Sequence, residues 1–199
     1  MTLYRVRQYG LEQGALEIQY IEEFFSEFPR KKTAAEIIAR LSSREHLILM
    51  AEAALPGEPP VIAPVSFKVA HELRAIESES QLRDLVDRLR GAVSFGTQRV
   101  LYSWIGGTRS DWRGQGHFRA LTEQQEDWAL ERGFDQILVK TKNKFYGMRS
   151  TLDRLGFDVI KFERHPIEDG ESKLYLSKKI SRAVVQTHRT RRAVVEADA

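Results

Sequence analysis

The sequence predicts an α/β fold on a mixed sheet, and three observations carry that expectation. Apolar residues recur at helical spacing in some segments and alternate in others, and the two kinds are interleaved along the chain. A turn rich in proline and glycine, Leu55–Pro60, joins two strand-like runs. Between Val100 and Phe157 the order strand, loop, helix occurs twice.

The elements follow in order. Leu3–Tyr9 alternates and predicts a short strand ending at Gly10. Over Leu11–Phe28 the residues Leu16, Tyr20, Ile21, Phe24, Phe25 and Phe28 return at helical spacing, with Pro29 as a stop. Thr33 is placed to cap a second helix whose stripe is Ala34, Ile37, Ile38 and Leu41, with Glu36 completing a capping box. His46–Ala54 and Val61–Leu73 read as an antiparallel hairpin. Ser78–Arg90 is an amphipathic helix with Leu82, Leu85, Val86 and Leu89 on one face. Arg99–Ile105 is the next strand, and Gly116–Arg132, Gln136–Lys140, Gly147–Leu155 and Asp158–Glu163 alternate helix and strand. Lys173–Ile180 closes the series as a strand. The expected division is a domain at residues 1–180 and a basic extension at 181–199.

Composition narrows the function classes. The 199 residues are 42% hydrophobic and 30% charged, enough apolar material for one core. No apolar run reaches the roughly 18 to 20 residues needed to span a bilayer, and MTLYRVRQYG lacks a signal-peptide core. With no cysteine, disulfides, thiolate metal sites and a cysteine nucleophile are excluded, which is compatible with a cytoplasmic location. The net charge of +3 is concentrated in the extension, where Arg182, Arg189, Arg191 and Arg192 face only Glu196 and Asp198. The remaining body is nearly neutral, which argues against a nucleic-acid-binding surface there. The echo of RAVV at Arg182–Val185 and Arg192–Val195 is too short to be a repeat architecture, and a solvated or packed tail accounts for it. The histidines at 46, 71, 117, 165 and 188 lack metal-ligand spacing, and no His-Glu-x-x-His, Gly-x-Ser-x-Gly or Walker sequence occurs.

The most informative stretch is Leu101–Gly133. A strand ends at Gly106–Gly107, a polar loop follows, and Arg113-Gly114-Gln115-Gly116 leads into a helix. Gly114 and Gly116 allow a tight turn and close approach of a ligand to the backbone. The amides of Gln115, Gly116, His117 and Phe118, with the positive end of the helix dipole, form a site suited to phosphate. Arg113 adds a full charge at the rim. Alone, such a turn is more often a purely structural one. Asp111 and Trp112 shape it.

A second passage, Lys140–Phe157, places Asn143 in the loop after a strand and Gly156–Phe157 after the following helix. With both passages in this order, Val100–Phe162 resembles the GNAT acetyltransferase superfamily. The family pattern Arg/Gln-x-x-Gly-x-Gly/Ala is matched to Arg113–Phe118, and its later asparagine and Gly-Phe to Asn143 and Gly156–Phe157. The resemblance implies a mostly antiparallel mixed sheet flanked by helices, with splayed central strands and acetyl-CoA lying between them. It assigns the pantetheine arm to Ile105, Gly106, Gly107 and Thr108, the pyrophosphate to Arg113, Gly114, Gln115, Gly116, His117 and Phe118, and a further cofactor contact to Asn143. The implied reaction is direct transfer of an acetyl group to a primary amine of a small molecule or peptide. That chemistry needs a neutral amine, a polarised thioester carbonyl and an acid for the leaving thiolate.

The sequence departs from the family at three places. Phe118 stands where the family has a small residue, so its ring is expected to turn into the helix–sheet core with Leu121 and Trp128. Gln124 and Gln125 also interrupt the apolar stripe of that helix. Leu152 occupies the position of the tyrosine that protonates the departing sulfur, with Tyr146 and Ser150 nearby in sequence. The strand Arg99–Ile105 carries no carboxylate, which leaves His71 and Glu72 as candidate bases, or as a hydrogen-bonded strand histidine and a solvated charge. Trp104 reads as a core residue or a substrate contact. These departures keep a second function open, a non-catalytic acyl-CoA sensor or scaffold. A third, nucleic-acid association through the tail, is disfavoured. The helix Ser78–Arg90 is open to use as a homodimer face or a lid, and acceptor choice is assigned to residues 11–43, 74–98 and 163–172.

Overall fold

A computed structural model describes residues 4–11, 15–24 and 32–197, without the side chains of 15–17, 23–24 and 191–197. Seven strands form one mixed sheet in the order β1-β2-β3-β4-β5-β7-β6, with helices flanking it. The strands are β1 (Tyr4–Tyr9), β2 (His46–Leu55), β3 (Val61–Leu73), β4 (Val100–Thr108), β5 (Gln136–Lys142), β6 (Asp158–Glu163) and β7 (Lys173–Lys179). The helices are α1 (Ala15–Phe24), α2 (Ala34–Leu41), α3 (Ser80–Leu89), α4 (His117–Glu131), α5 (Tyr146–Arg154) and α6 (Arg182–Ala197). Two compact units divide the chain, one of residues 1–71 and 103–122, the other of 72–102 and 123–199.

In the first unit, β1, β2 and β3 are successive antiparallel neighbours, as the hairpin pattern predicts. Its core contains Ile18, Ile21, Ile37, Leu41, Ile48, Met50, Phe67 and Val69. Each fully buried aliphatic chain of this kind stabilises the fold by about 1.5–3 kcal/mol through loss of apolar surface to water. The α1 stripe differs from the expected one: Ile18 is buried, whereas Tyr20 turns outward. Phe25, Phe28 and Pro29 lie outside the described residues. The capping box of α2 is formed, with the Glu36 amide donating to Thr33 Oγ1 at 3.2 Å and the Thr33 amide donating to Glu36 Oε2 at 2.9 Å.

In the second unit, β7 lies antiparallel between β5 and β6. The face of α3 predicted from spacing, Leu82, Leu85, Val86 and Leu89, is buried. Gly156 ends α5 in the left-handed region at φ 77°. Its amide donates to the Asp153 carbonyl at 2.9 Å and the Phe157 amide to the Leu152 carbonyl at 3.0 Å. This is the paired bonding of a Schellman cap, with Phe157 and Leu152 both buried beside it. The Gly-Phe signature is therefore a helix stop, and needs glycine because other residues strain at that φ.

The last described segment is a helix held by charge. Lys178 Nζ lies 2.8 Å from both oxygens of Glu126, whose side chain is fully buried. His188 of α6 brings Nδ1 to 3.3 Å from Glu126 Oε2 and Nε2 to 3.0 Å from Asp127 Oδ1. Arg189 reaches the same Asp127 oxygen at 3.0 Å, and Val185 is buried. Thus α6 is packed, and one of its four arginines already faces acids of its own unit. No helix among the described residues is long and apolar enough to cross a membrane.

Candidate active site

The glycine turn belongs to the first unit. The strand before it is longer than its apolar run: β4 continues through Gly106 and Gly107 to Thr108. Backbone pairing carries it on, since the Arg109 amide donates to the Val65 carbonyl at 3.0 Å. Ser66 donates to the Gly107 carbonyl at 2.9 Å and lies 2.7 Å from Thr108 Oγ1. A Cβ at Gly106 would stand 3.0 Å from the Phe67 carbonyl oxygen, so neighbouring backbone fills the space beside it. Ile105 packs against the core of this unit.

A single 3₁₀ turn, Ser110–Trp112, follows. Arg109 grips Asp111 through two contacts of 2.9 and 2.8 Å, and Trp112 is buried, so this pair and the indole set the loop's direction. Arg113 bends back, its Nε donating to the Thr108 carbonyl at 3.3 Å. Gly114 and Gly116 then adopt φ of 79° and 83°, a region L-residues enter only at a cost. A Cβ on either would meet no atom within 4 Å. The two glycines thus leave open space directly before α4. The first intrahelical bond runs from the Ala120 amide to the Gly116 carbonyl at 3.0 Å, so the amides of His117 and Phe118 have no acceptor within the helix. Backbone donors at a helix start, beside uncrowded space, fit a phosphate group.

The side chains of the first turn go elsewhere. Phe118 is half-buried, and its ring lies beneath Lys68 Nζ at 4.3 Å from the centroid. Lys68 also donates to Thr122 Oγ1 at 2.8 Å, and the Thr122 hydroxyl donates to the Phe118 carbonyl at 2.7 Å. The ring thus faces β3, where a buried lysine meets it. Gln125, expected to interrupt the stripe of α4, is itself fully buried.

His117 packs its ring between Tyr4, at 4.1 Å, and Trp112, at 5.9 Å between centroids. Both ring nitrogens are buried with no hydrogen-bond partner among the described residues. Burial holds its proton affinity below the ordinary histidine value, so the imidazole is neutral at neutral pH. The unfolded chain binds a proton at this position below about pH 6.5 while the folded one does not, so stability is lost as pH falls from there. His117→Leu is expected to remove this dependence. In urea titrations between pH 7 and 5, wild type should lose more stability than the variant, by at most about 1.4 kcal/mol per pH unit. Parallel profiles would show that His117 does not titrate in this range.

Around β4 stands a second group, also within the first unit. Trp104 is half-buried, with the Arg40 guanidinium 4.1 Å from its ring centroid and the His71 ring edge-on at 5.6 Å. His71 is fully buried and pairs across the strands with His46. No motif in the sequence singles out Lys68 or Arg40. The signal for Lys68 was a lone lysine between Phe67 and Val69 in an apolar strand; nothing in α2 marked Arg40 beyond its helical place.

The other predicted residues belong to the second unit. Glu72 contacts Arg74 Nε at 3.0 Å and Arg99 Nη2 at 3.2 Å. Burial alone would raise its pKa, but hydrogen bonds from the two arginines outweigh it and hold the carboxyl below its usual range. Such a carboxylate is a poor base. Asn143 donates from Nδ2 to the Asp169 carbonyl at 3.1 Å, and its Oδ1 accepts from Arg149. Its backbone carbonyl accepts from Arg149 at 3.0 Å and its amide donates to the Ser172 carbonyl at 2.8 Å. Asn143 therefore ties the start of α5 to the loop before β7. Tyr146 opens α5 and is exposed, with the Arg149 guanidinium 5.7 Å from its ring centroid. Leu152 is fully buried, and Ser150 Oγ accepts from Arg154 at 3.0 Å. Among the described residues no group of His, Asp or Glu is placed to hold a metal ion.

No family model matches the sequence, and no curated protein sequence matches it. Solved structures do. Arabidopsis thaliana NAA60 in complex with acetyl-CoA matches over 89% of this chain and 99% of its own, with 14% identity and a TM-score of 0.65. The Escherichia coli ribosomal-protein-S18-alanine N-acetyltransferase matches over 90% and 95%, with 15% identity and a TM-score of 0.59. The NatC complex bound to Gag peptide and CoA matches over 89% and 99%, with 14% identity and a TM-score of 0.63. At such identities the likeness speaks for architecture, and on it the chain has the fold of the GNAT superfamily of N-acetyltransferases.

Proposed function

We propose that this chain transfers the acetyl group of acetyl-CoA to a primary amine. The observation that carries the reading is the pair of left-handed glycines, Gly114 and Gly116, opening uncrowded space before the first-turn amides of α4 in a GNAT fold. The amides of His117 and Phe118 would hold the pyrophosphate, and Lys68, beside the same turn, adds positive charge. This assignment shifts the family pattern by two residues. Reading it over Asp111–Gly116 puts Gly114 and Gly116 on its two glycine positions and removes Phe118 as a departure, with Asp111 in the first position. The pantetheine assignment to Ile105–Thr108 is kept, at the exposed end of β4.

The acceptor would be an amine on a peptide in preference to a small molecule. Two of the similar structures carry peptide or protein acceptors in their names, a Gag peptide and ribosomal protein S18 alanine. Transfer requires loss of a proton from the acceptor ammonium. Of the two candidate bases, Glu72 is committed to Arg74 and Arg99. That leaves His71 as the candidate base, beside Trp104. Glu72→Gln is expected to leave kcat within about threefold, far short of the roughly 10²–10⁴-fold that a general base contributes. A loss of hundredfold or more, with unchanged acetyl-CoA affinity, would return Glu72 to the reaction.

A second reading is an acyl-CoA-binding protein without turnover, favoured by the buried Leu152 where the family's acid stands. One experiment separates the two. Acetyl-CoA is incubated with the protein and pooled peptides and small amines, thiol release is followed, and products gaining an acetyl group are identified by mass spectrometry. Peptide acetylation above the protein-free rate supports the enzyme. Binding in calorimetry without thiol release supports the sensor, and absence of binding to folded protein overturns both.

A further inference from the structure

The three strands β5, β7 and β6 of the second unit collect cations on one face. Lys140 of β5 and Lys161 of β6 both stand opposite Tyr175 of β7, and Glu163 stands opposite Lys173. Directly paired residues, and those two apart along a strand, share a face of a sheet. Arg88 of α3 joins them through a 3.1 Å contact with Glu163. Glu163 serves this whole group. Beyond Arg88 it has Lys161 at 3.7 Å, Lys173 at 4.0 Å and the Tyr175 hydroxyl donating at 3.0 Å. Further along, Lys142 and Lys144 share Glu171, whose carboxyl they hold down at about 2 by hydrogen bonding.

Lys140 differs from all of these. Among the described residues it has no carboxylate within ion-pair distance, and its ammonium lies 5.8 Å from the Tyr175 ring centroid. Partial burial lowers its pKa first, and repulsion from Lys173 and Arg88 lowers it further, opposed only in part by Glu163. The residue nevertheless remains exposed. An amine that is reachable, unpaired with acid and crowded by like charge is neutral more often than an ordinary surface lysine, and the neutral form is the nucleophile.

We propose that Lys140 is an acetylation site of the protein itself, modified directly by acetyl-CoA. The proposal rests on the reading that this chain meets acetyl-CoA. The Lys140 Nζ lone pair adds to the thioester carbonyl carbon, forming a C–N bond. The C–S bond then breaks with its electron pair leaving on sulfur, and the proton lost from nitrogen ends on the thiolate. The products are N-acetyllysine and free CoA thiol, so no further reagent is needed. Arg88, Lys161 and Lys173 also raise the local concentration of a polyanionic thioester by attraction. Acetylation removes a charge that two neighbours repel, which favours the modified state.

The test is site-resolved mass spectrometry of the full-length protein incubated with acetyl-CoA and no other amine at pH 7.5. Lys140 is expected to be modified severalfold faster than Lys142, Lys144, Lys161 and Lys173. Lys173→Gln, which removes one repelling charge, should reduce that lead. Equal initial rates at all five lysines overturn the proposal, as does an unchanged lead in Lys173→Gln. Calorimetry with acetyl-CoA keeps the two claims apart. Binding with uniform labelling sinks the Lys140 site and leaves the enzyme standing, whereas a Lys140 lead without saturable binding supports the site and counts against the enzyme.

Discussion

Gly116→Trp is expected to weaken acetyl-CoA binding by at least about tenfold while the protein stays folded, because one charge-assisted hydrogen bond is worth about 1.5–3 kcal/mol. Two effects combine. At φ 83° any L side chain is strained, so the turn relaxes and the amides that follow lose their aim. The indole would also project into space where no protein atom lies within 4 Å of the Cβ, which is the space assigned to the ligand. For the same reason the apo protein has no steric clash at the Cβ, and the cost to folding is limited to the backbone, about 1–2 kcal/mol. Calorimetric titration with acetyl-CoA reads the affinity, and a thermal melt confirms folding. An unchanged Kd in a folded variant would mean that the turn is only a turn. Gly116→Ala should show the strain with less obstruction and fall between the two.

Lys178→Met is expected to destabilise the protein by about 3 kcal/mol, because it leaves a buried carboxylate without its ammonium partner. Glu126 is fully buried, with Lys178 on both its oxygens and His188 on one. Removing the lysine leaves the His188 ring nitrogen against one oxygen of Glu126, which keeps the loss at the lower end of the usual range for a broken buried pair. The double variant Lys178→Met with Glu126→Met should regain most of the stability, since apolar replacement of both partners is often neutral or better. Chemical denaturation measures all three. A single-variant loss below about 0.5 kcal/mol would place the pair among weak surface contacts. A double variant no better than the single would show that packing, and not the stranded charge, is responsible.

The glycine turn and the docking of α6 differ in how local their determinants are. Thr33 and Glu36, Leu55–Pro60 and the stripe of α3 were legible because each is a local rule: a cap, a turn, a period. Gly114, Gly116 and Gly156 were visible as glycines. Their surroundings, however, diverge: two leave uncrowded space before α4, while the third ends a helix. Spacing alone cannot tell these apart, because all three adopt the same left-handed φ. The arginines of 181–199 mark a basic extension, and its described part is a helix anchored by Val185 and His188. Its acid partners, Glu126 and Asp127, lie more than fifty residues earlier in sequence, on α4.

By itself the sequence determined the α/β class, nearly every element, the glycine turn before α4 and the resemblance that names acetyl-CoA as the expected donor. Only the tertiary structure decided which polar groups are committed. It showed Glu72 gripped by Arg74 and Arg99, Asn143 tied to Arg149 and the Asp169 carbonyl, and Lys68 buried over Phe118. It also left Lys140 exposed among cations, with its proton affinity lowered by burial and by them. The physical reason is one of range. Helix, strand and turn preferences arise from residues within a few positions of one another, whereas the charge state and reactivity of a side chain depend on desolvation and on partners brought from distant parts of the chain.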